Sequence, residues 1–159
     1  KRKPAAAKGQ EPAEQKPQVT IHRFNESTLV FGPCCHPLVG DEVVAVREAG
    51  EQVEIHRADC PRGLGAHPER ILPARWADEV EGEAEVPIEV ISKDMKGMLA
   101  KLSTAISAAN LNISRALVHT TEEKKAIHTF HINMKRLSEL QRLVKAIEKI
   151  EAVISVRRM

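Results

Sequence analysis

The pattern of hydrophobic and polar positions is most regular in residues 84–159. Strand-like stretches, β-branched or alternating in polarity, are interleaved there with helix-like stretches of 3.6-residue periodicity. The predicted elements are a strand at 84–92, a helix at 97–110, strands at 112–120 and 126–134, a helix at 137–150 and a strand at 152–159. This βαββαβ order predicts a ferredoxin-like split sandwich, in which both helices cover one face of an antiparallel sheet. We call residues 84–159 the sandwich module.

Each predicted helix carries one apolar stripe, which is the face expected to cover the sheet. The stripe of the first helix comprises Met98, Leu99, Leu102, Ala105, Ile106 and Ala109. The stripe of the second helix comprises Leu137, Leu140, Val144, Ile147 and Ile150. Aromatic residues make up only 3% of the chain, so aliphatic side chains must build the core.

Residues 19–77, which we call the cysteine module, show shorter elements and few large side chains. Strands are predicted at 42–47 and 52–57, joined by a turn, and residues 71–76 form a third short apolar stretch. Asp59 is expected to cap a helical turn that begins at the following Cys-Pro pair. A core this thin is typical of small modules that add a metal. The acidic stretch 78–83 predicts a boundary, and we expect two independent folding units.

The fold class predicted is α+β, a small Cys/His β-rich module followed by the sandwich. Residues 1–18 lack large apolar side chains and are predicted to be a disordered linker or a tag remnant. Because the chain does not begin with Met, we expect a fragment of a longer protein. A net charge of +2 does not by itself indicate nucleic acid or membrane. No secretory signal or membrane-spanning run is visible, which favours a cytoplasmic location.

The cysteines and one histidine of the cysteine module form a candidate metal site. Cys34, Cys35 and Cys60 with His56 would make a Cys₃His set, and soft sulfur with neutral nitrogen suits zinc. His36 could replace His56 as the fourth ligand. Adjacent cysteines are harder to place on one metal than the usual Cys-x-x-Cys, because neighbouring side chains tend to diverge.

Two other interpretations of the same residues stay open. The three cysteines could be small buried apolar residues, with His56 a hydrogen-bonded core histidine. Alternatively, Cys60 could be a nucleophile, since a helix N-terminus favours the thiolate, although no triad is evident around it.

A second candidate site lies where the first strand of the sandwich module meets its helix. Asp94 is the expected N-cap, Gly97 would let a ligand approach the main chain, and the free N–H groups of the first turn suit a carboxylate. The candidate ligand-binding residues are Asp94, Gly97, Met98, Asn110 and Asn112. A plain helix cap with a packing glycine is the alternative.

The cysteine module also offers cations for phosphate contacts. The nucleic-acid candidates are Arg57, Arg62, Arg70 and Arg75. The βαββαβ order is also that of an RNA-recognition motif, but Phe130 alone is available for base stacking on the third strand.

Taken together, these residues resemble the C-terminal regulatory end of the long RelA/SpoT (Rel) family, whose enzymes make and hydrolyse (p)ppGpp. The matching stretches are CCHPLVGDEVVAV, VEIHRADCP, PERILPARW, VPIEVISKDMKGMLAKLSTAISAANLNISRALV and the ending IEAVISVRRM. The resemblance covers roughly residues 28–159 in the family's order. A double cysteine followed by HxxDC and then an ACT-like stretch is highly specific.

The resemblance implies a zinc-finger-like RIS domain at 19–77 and an ACT domain at 84–159. It implies a regulatory role in the stringent response: ribosome sensing through ribosomal RNA, autoinhibition and ACT-mediated homodimers. It also implies a branched-chain amino acid as ligand, and a structural role, with possible zinc, for the cysteine block with Asp59. The catalytic domains of a GTP pyrophosphokinase or (p)ppGpp hydrolase are not in this chain.

One position departs from the family pattern. Met95 stands where the ACT loop often has arginine, so a ligand contact from that position is not expected. A stand-alone amino-acid-binding ACT regulator and an RNA-binding module are the alternative functions.

Overall fold

The computed structural model describes residues 18–22 and 28–159, so nearly all of the predicted linker at 1–18 lies outside it. The strands of the cysteine module are β1 (Val19–Ile21), β2 (Leu29–Phe31), β3 (Val43–Arg47), β4 (Val53–Arg57) and β5 (Ile71–Trp76), and one short helix, α1, spans Pro61–Leu64. The five strands form one sheet in the order β1-β5-β3-β4-β2. The predicted antiparallel hairpin is β3–β4. The two outer strands, β1 and β2, were not predicted from the sequence.

The sandwich module has the predicted βαββαβ order, which confirms the α+β fold class. Its elements are β6 (Ala84–Lys93), α2 (Met98–Ala108), β7 (Asn112–Thr120), β8 (Lys125–Met134), α3 (Leu137–Glu148) and β9 (Val153–Arg158). The sheet order is β7-β8-β6-β9, and every neighbouring pair is antiparallel.

Alternation along β8 explains why the helices lie on one face of this sheet. His128, Phe130 and Ile132 are buried, while the residues between them are half-exposed. From the helices, Leu102 and Ile147 complete the same core.

The predicted helix stripes need three corrections, the first being that Ala109, just after α2, is exposed. Leu99 is 43% exposed and lies outside the core, because its position on α2 faces solvent. Leu143, which was not predicted, is fully buried on α3.

Two predicted helix caps are wrong. The N-cap of α1 is Cys60, and Asp59 instead faces Arg57, with 3.3 Å between carboxylate and guanidinium. The N-cap of α2 is Gly97, whose φ of 80° lies in the left-handed region, and no side chain caps this helix. Asp94 comes too early because the loop uses three more residues before the first helical turn.

The expectation of two independent folding units stays a prediction, although the cysteine module contributes one buried side chain to the sandwich core. Leu38, which lies between β2 and β3, is fully buried in the core of the sandwich module. Next to it, the main-chain carbonyl of Val39 accepts a hydrogen bond from Leu137 N at 2.8 Å. A cysteine-module segment therefore contributes a side chain to the sandwich core and a hydrogen bond to the start of α3.

A buried ion pair also joins the modules. The guanidinium of Arg158, on β9, donates to both carboxylate oxygens of Asp41, at 3.0 and 2.8 Å, and to the main-chain carbonyl of His36. Both charged side chains are about nine-tenths buried, with exposures of 9% and 10%. The main-chain carbonyl of Asp41 accepts from Trp76 Nε1 at 2.9 Å, which ties the pair to β5.

The longest described helix, α3, has 12 residues, and none in the described part of the chain is suited to crossing a membrane.

Candidate metal centre in the cysteine module

A tight turn after β2 brings both adjacent cysteines to one place. Gly32 N donates to Ile55 O on β4 at 2.8 Å, and Gly32 O accepts from the amides of Cys35 and His36 at 3.3 and 3.0 Å. His36 adopts a positive φ of 46°, which ends this turn. The curvature lets the side chains of Cys34 and Cys35 converge, where an extended strand would make them diverge.

The other two candidate ligands come from the neighbouring strand and helix. His56 lies near the end of β4 and is 2% exposed, and Cys60 is the N-cap of α1. The four candidate ligand atoms, three sulfurs and one ring nitrogen, all lie within 4.8 Å of one another. The predicted set Cys34, Cys35, His56 and Cys60 is therefore assembled in space.

Four of the six distances between the candidate ligand atoms are close to the edges of a zinc tetrahedron, and the other two are at most 4.8 Å. Zn–S bonds of about 2.3 Å and Zn–N bonds of about 2.05 Å give tetrahedral edges of about 3.8 Å for S···S and about 3.6 Å for S···N. The Sγ atoms of Cys34 and Cys60 are 3.5 Å apart. His56 Nδ1 lies 3.3 Å from Cys34 Sγ, 3.7 Å from Cys35 Sγ and 3.8 Å from Cys60 Sγ. The residues therefore fit a metal ion in size, number and donor chemistry.

The protonation states of the cluster differ from one thiol to the next. Burial raises the pKa of the Cys35 thiol to about 12, although Arg57 N–H donates to its sulfur. Burial also raises the pKa of Cys34, and the neighbouring Cys60 adds to this. Burial opposes ionisation at Cys60 too, but main-chain N–H groups of Gly63 and Arg62 and the neighbouring thiols outweigh it, so its pKa is lowered. Burial lowers the pKa of His56, which favours the neutral ring that metals bind.

The structure also bears on the alternative interpretations of the cysteines and histidines. His36 is not part of the four-residue cluster; its ring lies against the main chain of Glu85, and burial beside Arg158 lowers its pKa. Cys60 is 1% exposed, so a substrate could not reach its sulfur in this conformation. The interpretation of the thiols as apolar core residues does not explain why three sulfurs and a ring nitrogen converge.

The structure does not bring all candidate residues of the sandwich module together. Asp94 and Gly97 lie exposed at the N-terminal end of α2, where Met98 is buried. Asn110 and Asn112 lie beyond the C-terminal end of the same 11-residue helix, about 16 Å away. The strand register gives the same separation. Asn112 pairs with Asn133 on β8, and Asn133 pairs with Glu85 near the start of β6, whereas Asp94 follows the end of β6 at Lys93.

Most of the nucleic-acid candidates are paired with carboxylates. Arg57 faces Asp59, Arg62 approaches Glu54 at 3.9 Å, and Arg70 contacts Glu48 at 2.5 Å. Arg75 is exposed on β5. Arg62 and Arg70 line one cavity of about 320 Å³, whereas Arg57 lines a different cavity. RNA binding by these four residues stays a prediction.

The sequence pattern did not single out two residues that contact the cluster. Gly32 lies directly against the His56 ring, where an added Cβ would come within 2.6 Å of Nδ1. Glu54 lies 3.5 Å from the other ring nitrogen, Nε2. The position of Glu54 could have been predicted from the sequence. It lies two residues before His56 on a predicted strand, and residues two apart on a strand share a face.

Comparison with known families covers both modules. Residues 19–77 match the model of the RelA/SpoT RIS domain, and residues 81–158 match that of an ACT domain. A GTP pyrophosphokinase of Myxococcus xanthus is 31% identical over 141 residues, which are 89% of this chain and 19% of that enzyme. The GTP pyrophosphokinase of Escherichia coli K12 is 28% identical over 130 residues, 79% of this chain and 18% of that enzyme. The chain thus spans less than a fifth of these relatives.

Among solved structures, the chain is similar to the ACT domain of the GTP pyrophosphokinase from Chlorobium tepidum. The identity is 21% and the TM-score is 0.44, and the match covers 48% of this chain and 99% of that domain.

Proposed function

Because the chain belongs to the RelA/SpoT family, we propose that it is the regulatory region of a (p)ppGpp-synthesising GTP pyrophosphokinase and responds to amino-acid and ribosome status. The observation that carries this proposal is the tandem match of a RIS domain at 19–77 and an ACT domain at 81–158. The relatives carry the activity in a protein about five times longer than the match. In this proposal the chain itself does no chemistry, and it controls or inhibits catalytic domains elsewhere in the same protein.

The metal centre has a structural role in this proposal. Cys34, Cys35, Cys60 and His56 would hold zinc, which supplies folding free energy to a module with little core of its own. Among the described residues, the core cluster of this module has three buried apolar members, Ile21, Ala45 and Ile55. Binding would displace the protons of the Cys34 and Cys35 thiols.

The sandwich module is the proposed amino-acid sensor and dimerisation unit. A branched-chain amino acid would place its carboxylate at the N-terminal end of α2, beside Asp94, Gly97 and Met98. Asn110 and Asn112 are too far from this end to contact the same ligand within one chain, so they would contribute only from a second copy. In support of such a dimer, β7 is an exposed edge strand of nine residues.

Isothermal titration calorimetry of the purified chain with valine and isoleucine tests the amino-acid role. We expect saturable heat that Gly97→Asp abolishes, because the new carboxylate would repel the ligand's own. Gly50→Asp is the matched control: its φ of 75° resembles the 80° of Gly97, and both positions have open space around an added Cβ. Absence of heat with any amino acid, or equal loss in both variants, would reject the sensor role.

Elemental analysis and native mass of the same preparation test the other two parts. One zinc per chain and a dimeric mass are expected. In the full-length protein, valine should change the rate of (p)ppGpp synthesis, and Gly97→Asp should remove that response but keep the basal rate. A rate that valine does not affect would argue against amino-acid regulation.

A further inference from the structure

His56 presents its two ring nitrogens to different surroundings. Nδ1 faces the sulfurs of Cys34, Cys35 and Cys60, at 3.3 to 3.8 Å. Nε2 points the other way, towards Glu54 Oε1 at 3.5 Å. A neutral imidazole carries a hydrogen on only one of its nitrogens, and only the other nitrogen has a lone pair to offer a metal.

Glu54 is held where it can act on this ring. It is the second residue of β4, two residues before His56, so both side chains leave the same face of the strand. Its side chain is 14% exposed, and its Oε1 is buried without a hydrogen-bond partner among the described residues. A cation, Arg62, also approaches this oxygen, with its Nη1 at 3.9 Å. A buried carboxylate oxygen without a donor is costly, and the Nε2–H of His56 is the donor that the geometry offers.

We propose that Glu54 is the positioning residue of the metal centre: its carboxylate accepts the Nε2–H of His56 and so fixes the tautomer that directs the Nδ1 lone pair at the three sulfurs. The inference rests on the metal site proposed above. Glu54 touches neither the sulfurs nor the metal position, and it acts only through the imidazole. Outer carboxylates of this kind orient ligating histidines and raise their basicity.

The first test uses the reduced, metal-free protein, in which ¹⁵N-histidine NMR reports which ring nitrogen carries the hydrogen. The His56 signals are assigned by comparison with His56→Gln. We expect hydrogen on Nε2 in the wild type and in Glu54→Gln, whose side-chain carbonyl still accepts it. Glu54→Leu should populate both tautomers. A wild-type ring with hydrogen on Nδ1 would overturn the proposal, and this readout needs no Glu54 variant to fold.

The second test measures zinc affinity by competition with a chromophoric chelator. Glu54→Leu should weaken binding roughly 10- to 100-fold, and Glu54→Gln should recover most of that loss. Glu48→Leu is the control, because Glu48 lines the same cavity as His56 but pairs with Arg70. Equal affinities of wild type and Glu54→Leu would refute the positioning role. Suppose that neither the wild type nor any variant binds zinc, while the wild-type ring carries its hydrogen on Nε2. The proposed metal site is then rejected, and only the hydrogen bond from His56 to Glu54 is supported.

Discussion

At the scale of single residues, the cysteine cluster depends on how closely the turn after β2 approaches the ring of His56. Gly32 is in contact with this ring, and a methyl group there would lie 2.6 Å from Nδ1 and 2.9 Å from Cε1. It would also lie 3.2 Å from the carbonyl of Ile55, on the strand that carries the ring. Neither neighbour can move without displacing a ligand atom or the strand.

We therefore predict that Gly32→Ala destabilises the metal-free protein by about 1–3 kcal/mol through overpacking. It should also weaken zinc binding, because the ring must turn away from the sulfurs. Denaturant unfolding and chelator competition measure the two effects. Gly65→Ala is the control, since its added Cβ would meet only Pro61 O, at 3.1 Å. Unchanged zinc affinity in Gly32→Ala would contradict the close approach.

At the scale of elements, the long periodic segments could be predicted and the short ones could not. Residues 84–159 have strands and helices of 6 to 12 residues, long enough for a period to show. The strands β1 and β2 have three residues each and pair in parallel with β5 and β4, so only distant partners define them. The two helix caps were predicted wrongly for a similar reason. The length of the preceding loop decides at which residue a helix begins, and residue type alone does not reveal that length.

The candidate sites, too, could be predicted only in part from the sequence. The four ligands could be found from residue type, but the turn that makes adjacent cysteines converge depends on Gly32 and on the positive φ of His36. Asn110 and Asn112 are grouped with Asp94 because their amides, near the start of the next strand, could contact a polar ligand. A helix separates its two ends by its full length, so this grouping fails within one chain.

The strand β8 carries a titratable group into the core, which predicts a pH dependence of stability. His128 is 2% exposed and stacks on Phe130, and burial lowers its pKa although Asp94 opposes this. In the unfolded chain the ring takes up a proton below about pH 6.5, whereas in the folded protein it stays neutral to lower pH. The contribution of His128 to stability is thus present above pH 6.5 and is lost as the pH falls towards its folded pKa.

His128→Leu should accordingly lose less stability than the wild type between pH 7 and pH 5. The substitution removes the contact between His128 Nε2 and Ser92 Oγ at 3.2 Å. The Ser92 hydroxyl keeps a hydrogen-bond partner, because it can donate to the carbonyl of Lys93 at 3.0 Å. Urea unfolding at several pH values measures the difference, from which the contributions of the other histidines cancel. Parallel pH profiles for the two proteins would show that His128 titrates alike in both states.

At the scale of the whole molecule, the segment from Cys34 to Asp41 links the candidate metal centre to the sandwich core. Leu38 follows Cys35 by three residues and is fully buried among side chains of the other module. The Asp41–Arg158 ion pair fixes the end of the segment. A change that frees the two cysteines therefore also loosens a piece of the core that α2 and α3 cover.

This connection predicts that removing the metal weakens the sandwich module too. In the zinc-loaded wild type, a chelator should lower the unfolding midpoint of the helical circular-dichroism signal, which comes mainly from α2 and α3. Leu38→Ala should cost about 2–5 kcal/mol through the cavity it leaves, and should make the helical signal less sensitive to the chelator. Leu64→Ala is the control, because Leu64 lies in α1 near Cys60 but is 69% exposed. If the wild type unfolds in two separate transitions, with the helical one indifferent to chelator, the modules are not coupled through Leu38.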